Sequence, residues 1–162
     1  AEYNGGGDDG EDILECELGY EYSGGNAFSY IYMQDGLGRP TTGLNQNPTA
    51  VNNNAAIVIG QWDRTISTDH IYSNWINGGD ENSAIEPNDV TIRQASMFTL
   101  GNHGATGNGG KRLLGAIGEV IIVHGEVSIS DRQKLEGYLA HKWDLTGQLP
   151  SDHPYKNTIP RI

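Results

Sequence analysis

The chain is poor in cysteine, in positive charge and in long apolar runs. A single cysteine, Cys16, stands in 162 residues, so no intrachain disulfide can form, and neither a disulfide-stapled scaffold nor a cysteine-based zinc site can be built. Ten Lys and Arg face 21 Asp and Glu, a formal charge of −11. That balance repels a phosphate backbone and argues against a nucleic-acid partner. No window approaches the roughly 18 consecutive apolar residues of a membrane helix, and the longest apolar runs, Ala55–Gly60 and Val120–Val123, are strand-sized. No membrane insertion is expected. The histidines, His70, His103, His124, His141 and His153, fall in none of the spacings of a zinc site such as HExxH. The glycine-dense stretch GNHGATGNGG at Gly101–Gly110 lacks the GK[ST] ending and following helix of a phosphate-binding loop.

What is abundant is glycine, at 23 residues, double the usual share of roughly 7%. Asparagine is also frequent, so many positions call for turns. The length suits one domain, and the composition favours a loop-rich β protein. Acidity is local. Glu2, Asp8, Asp9, Glu11, Asp12, Glu15, Glu17 and Glu21 all precede the first base, Arg39. The remainder is close to neutral. Residues 1–12, AEYNGGGDDGED, have no hydrophobic period and are expected to form an acidic flexible arm before a domain spanning 13–162. Starting at Ala1 without a signal-peptide pattern, the sequence is expected to be a processed product or a segment of something longer.

From Leu14 to Tyr22, apolar and polar residues alternate, the period of a half-buried strand. AFSYIYMQ, Ala27–Gln34, predicts a second strand, forming a hairpin with the first across Ser23-Gly24-Gly25-Asn26 and ending at Asp35-Gly36. Residues 36–54, rich in Gly, Pro, Thr and Asn, read as a long surface loop. Strands are predicted at Ala55–Trp62 and His70–Ile76, the latter closed by an Asn77-Gly78-Gly79 turn, and a polar stretch then runs through Pro87. Further strands are expected at Val90–Arg93, Ser96–Leu100 and Leu113–Val123. A helix follows, with Ser130 as N-cap and Gln133 completing a capping box. Its inward stripe is Leu135, Leu139 and Trp143, with Tyr138 alongside, and Gly147 and Pro150 stop it. The architecture is therefore mostly antiparallel β with one short C-terminal helix, and short strands of this kind bury their apolar faces by packing sheet on sheet.

The block IGEVIIVHGEVSISDRQKLEGYLAHKWDLTGQLPSDHPYK, Ile117–Lys156, closely resembles the C-terminal signature of concanavalin A-like lectin/glucanase domains of the laminin-G-like type. Such domains are known from bacterial surface proteins and phage virion proteins. The signature runs from a final strand into a capped helix and then a stretch like LTGQLPSDHPYK, and all three parts are present in order. MFTLGNHG at Met97–Gly104 and HIYSNWINGG at His70–Gly79 resemble earlier parts of the same pattern, so the likeness spans roughly residues 55–156. It implies an all-β fold, a concanavalin A-like jelly-roll β-sandwich, and an extracellular, cell-surface or virion location. Only about 50 residues precede Ala55, fewer than such domains usually have there. Either the sandwich lacks early strands or another chain or a removed segment supplies them, and an oligomer or larger assembly is the expected state.

The functions that follow are three. The first is a non-catalytic lectin-like module that binds glycans or mediates adhesion, with Tyr30 and Tyr32, on one strand face with Phe28, as aromatic platform. Asp35, Asn77, Asn102, His103 and Asn108 would supply hydroxyl partners from loops. The second is a structural or decoration protein whose partners are neighbouring protein chains. The third is a glycoside hydrolase. Glu15, Glu17 and Glu21 share a strand face, but Gly19 interrupts it and the Glu-Asp-Glu alternation of the glucanases is missing, so no catalytic residue is assigned. No cofactor is required. Calcium is the candidate ion, with Asp8, Asp9, Glu11 and Asp12 as hard oxygen ligands, although the EF-hand spacing is absent; Asp80-Glu81-Asn82 is a second acidic loop. His141, His153 and Trp143 read as structural parts of the C-terminal block.

Overall fold

The computed structural model describes residues 15–23, 26–34, 45–50, 54–63, 70–86, 100, 115–125 and 127–161. The expected strand at 90–93 lies outside them, as does that at 96–100 apart from Leu100, which is in a bend.

Among the described residues, the strands form two three-stranded antiparallel sheets. In the first, β1 (Glu15–Ser23) and β2 (Asn26–Gln34) pair from Glu15↔Gln34 to Ser23↔Asn26, leaving Gly24-Gly25 as the connection. This is the expected hairpin, and its register follows from the alternating pattern and the two-residue link. β3 (Asn45–Ala50) adds to the free side of β2, within the stretch expected to be loop throughout. Its register slips between the Phe28↔Ala50 and Tyr30↔Gln46 pairs. Pro48 falls in that irregularity. Having no N–H to give, proline is tolerated at a bulge on an edge strand, and β3 is the edge.

The second sheet holds β4 (Val58–Asp63), β5 (His70–Ile76) and β6 (Asn82–Glu86), with β5 central. β4 and β5 are expected strands, whereas β6 occupies a stretch too polar to be read as one. Asn77 (φ 52°) and Gly78 (φ 69°) both take the left-handed conformation after β5, as the primed turn written by Asn-Gly demands, and the Gly79 N–H closes the turn onto the Ile76 carbonyl at 2.9 Å. β2 and β3 run close to β5, and β3 also to β6.

Residues 115–124 depart from the expected strand. No ladder forms along them, and Ile117, Val120, Ile121, Ile122 and Val123 are exposed. Two contacts tie this stretch to the helix instead. Gly118 lies against the Trp143 ring, and the Glu119 carboxylate bonds to Tyr138 and Lys142 of that helix and to Trp143, its C-cap.

The helix, α1, spans Ile129–Lys142. Its N-cap is Ser128, two residues before the expected one. The Ser128 hydroxyl accepts from the Asp131 N–H and donates to its carboxylate, a side-chain N-cap. The end also differs. Asp144 turns left-handed (φ 56°), and the Leu145 N–H reaches back to the Ala140 carbonyl at 2.8 Å, a Schellman closure that stops the helix before Gly147. The buried side is Glu136, Gly137 and Ala140, one position round from the expected Leu135–Leu139–Trp143 stripe. Ala140 joins Ile57 and Leu149 in a small apolar core, with Ile59, Leu139 and Leu145 packed against it, and this core seats the helix on β4. Among the described residues no helix is long and apolar enough to cross a membrane.

Candidate functional site

Helix α1 carries two polar clusters, one buried and one at the surface. In the buried cluster, Glu136 is fully enclosed. One carboxylate oxygen bonds the Arg132 guanidinium one turn earlier. The other lies 3.1 Å from His153 Nε2. The Tyr155 N–H donates to His153 Nδ1 at 3.2 Å, so Nδ1 is the acceptor and Nε2 carries the proton that faces Glu136. Arg132 in turn lies 4.5 Å above the Trp75 ring of β5. The buried charge is thus paired on both oxygens, the condition under which a carboxylate is tolerated in a core.

The same cluster closes the C-terminal segment over the helix. A Cβ on Gly137 would sit 2.3 Å from Tyr155 Cβ, and one on Gly78 would sit 2.9 Å from the His153 ring. Only glycine admits these approaches. His141 Nε2 meets the Tyr155 carbonyl at 2.9 Å, and Lys156 donates to the Thr146 and Leu149 carbonyls. The structural roles expected of His141 and His153 are therefore seen, and the role of Glu136 is the one that the apolar pattern hid.

The surface cluster centres on Glu119. Its carboxylate accepts from Trp143 Nε1 at 3.1 Å, Lys142 Nζ at 3.1 Å and the Tyr138 hydroxyl at 3.2 Å. The Trp143 N–H first, and then Lys142, hold the Glu119 carboxyl below its ordinary range. Tyr138 and Glu119 raise the Lys142 ammonium. Trp143 is 45% exposed, so its expected place in the core is not the one observed. Its N–H finds its acceptor at the rim.

Asn77 is the one expected binding residue whose side chain is described. Its Oδ1 accepts the Ile57 N–H and its Nδ2 donates to Gln148 Oε1, both at 2.8 Å, while Gln148 Nε2 donates to the Ala55 carbonyl. The amide thus fastens the hairpin turn to β4 and to the loop after α1. Tyr30 and Tyr32 sit on β2, opposite Gly19 and Glu17. Asp35, Asn102, His103 and Asn108 lie outside the described residues, as do Asp8, Asp9, Glu11 and Asp12 of the acidic arm. Glu15, Glu17 and Glu21 fall on β1, opposite Gln34, Tyr32 and Phe28. Glu81 accepts from the buried Ser73 hydroxyl, which braces the β5–β6 hairpin. Among the described residues no three His, Cys, Asp or Glu side chains gather as a metal site.

Compared with family models, curated proteins and solved structures, the chain gives no match.

Proposed function

We propose that the chain is a non-catalytic, lectin-like surface module that binds glycans or mediates adhesion, and that its two sheets belong to a concanavalin A-like jelly-roll sandwich. The observation that carries the reading is the closure of residues 127–161. Five residues of the helix and the segment after it have a physical task there: Glu136 and Gly137 of LEGYL, His153 and Tyr155 of DHPYK, and Gln148 of LTGQL. A helix and closing segment locked by those contacts and seated on the β4–β5–β6 sheet support kinship with the lectin-like domains that the block resembles. The ionisable groups of the two helix clusters are engaged in holding structure together.

The test is to incubate the intact chain with a set of neutral oligosaccharides and measure both retention and release of reducing ends. Binding without release is expected. Release of new reducing ends would move the function to a glycoside hydrolase, and neither binding nor release would remove the glycan reading.

A second reading, assembly with neighbouring protein chains, is favoured by one observation. Val120–Val123 is an unbroken aliphatic run with every member exposed, from 41% for Ile121 to 72% for Ile122, and such a run pairs readily with other chains. Under this reading the chain self-associates, and Ile122→Lys restores a monomer on size exclusion. A wild-type monomer at high concentration would rule it out.

A further inference from the structure

We infer that Trp143, with Glu119 and Lys142, forms a subsite for one ring of a neutral hexose at the C-terminal end of α1; this rests on the glycan-binding reading above and gives it a location.

Trp143 is 45% exposed at the end of a helix whose inward side is already filled by Glu136, Gly137 and Ala140. Its ring is nevertheless held still. The indole N–H is fixed on Glu119, and a Cβ on Gly118 would lie 3.2–3.3 Å from three atoms of the six-membered ring, so the backbone of Gly118 backs the indole closely. An aromatic surface that is both open to water and immobilised offers apolar area at little further cost in entropy. The C–H face of a pyranose is an apolar surface of matching size.

The hydroxyls of a sugar need fixed polar partners beside that platform. Glu119 and Lys142 supply both kinds. Lys142 Nζ lies 5.9 Å from the centre of the Trp143 ring and spends two of its three N–H groups on Glu119 and Tyr138, leaving one to donate. The carboxylate, with about four acceptor positions, receives three donors. One base and one acid leave the subsite without net charge, while the chain as a whole carries −11. That combination selects a neutral ring over a sulfated or sialylated one.

The test titrates the intact chain by calorimetry with neutral gluco-, galacto- and manno-oligosaccharides and with their sulfated counterparts. A neutral oligosaccharide should bind, Trp143→Ala should weaken it tenfold or more, and Lys142→Met should weaken it several-fold, with melting temperatures close to wild type. Trp143→Phe, which keeps a ring, should lose less than Trp143→Ala. If Trp143→Ala does not fold, Trp143→Phe and Lys142→Met carry the test. Wild-type affinity in Trp143→Ala would overturn the subsite and leave the glycan reading standing, since the sugar would then bind elsewhere. Preference for the sulfated series would overturn it as well. A wild-type chain that binds none of the panel would overturn both.

Discussion

Glu136 shows how far one side chain can redirect a helix. A carboxylate in a core is costly, and its cost is offset only while both oxygens keep partners. Arg132 and His153 are those partners. Arg132→Met should therefore destabilise the chain by about 3–5 kcal/mol, the usual cost of leaving a buried charge unpaired, measured by denaturant unfolding; a loss below about 1 kcal/mol would contradict the pairing. Gly137→Ala sets two effects against each other. Alanine gains about 1 kcal/mol of helix propensity, but its Cβ would fall 2.3 Å from Tyr155 Cβ, and overpacking costs about 1–3 kcal/mol. The clash should win, and a raised Tm would count against the close packing of helix and C-terminal segment. At Glu119 the expectation concerns pH. Its folded-state pKa is lowered, chiefly by the Trp143 N–H, so its contribution is present above the ordinary carboxylate range and is lost as pH falls through the lowered value. The difference in Tm between wild type and Glu119→Gln should be small, because the group is accessible to water, and should vanish in acid. A difference that grew in acid would reverse the sign.

At the scale of elements, the legible parts were those where local chemistry and tertiary structure agree. The β1–β2 hairpin follows from strict alternation about Gly24-Gly25, and the turn after β5 from Asn77-Gly78. β3 escaped because Asn, Gln and Pro are poor strand formers, and Pro48 is admitted only by a register slip at an edge. The helix was legible in existence but not in phase. The pattern centres the buried side on Leu135, Leu139 and Trp143, whereas Glu136, Gly137 and Ala140 are buried, Leu139 packs at the edge of the core and Trp143 turns out toward Glu119. The residue before Ile129, not the serine inside the helix, caps it. Ser128→Ala should cost about 1 kcal/mol and Ser130→Ala little, by thermal or chemical denaturation; the reverse order would restore the cap expected from sequence. The surface cluster was not legible at all, because Glu119 and Trp143 lie 24 positions apart and meet only once the chain folds back over α1.

For the whole molecule, charge and internal pairing divide between the two ends of the sequence. The acids crowd the N-terminal segment while the C-terminal block is locked by internal pairs. We propose that this chain serves glycan recognition. Its most direct test is the purified chain on a broad glycan array, run in parallel with calcium and with EDTA. Selective binding to neutral glycans in calcium is expected, with any loss in EDTA assigned to the carboxylates of Asp8, Asp9, Glu11 and Asp12. A silent array from a folded, monodisperse chain under both conditions would contradict it.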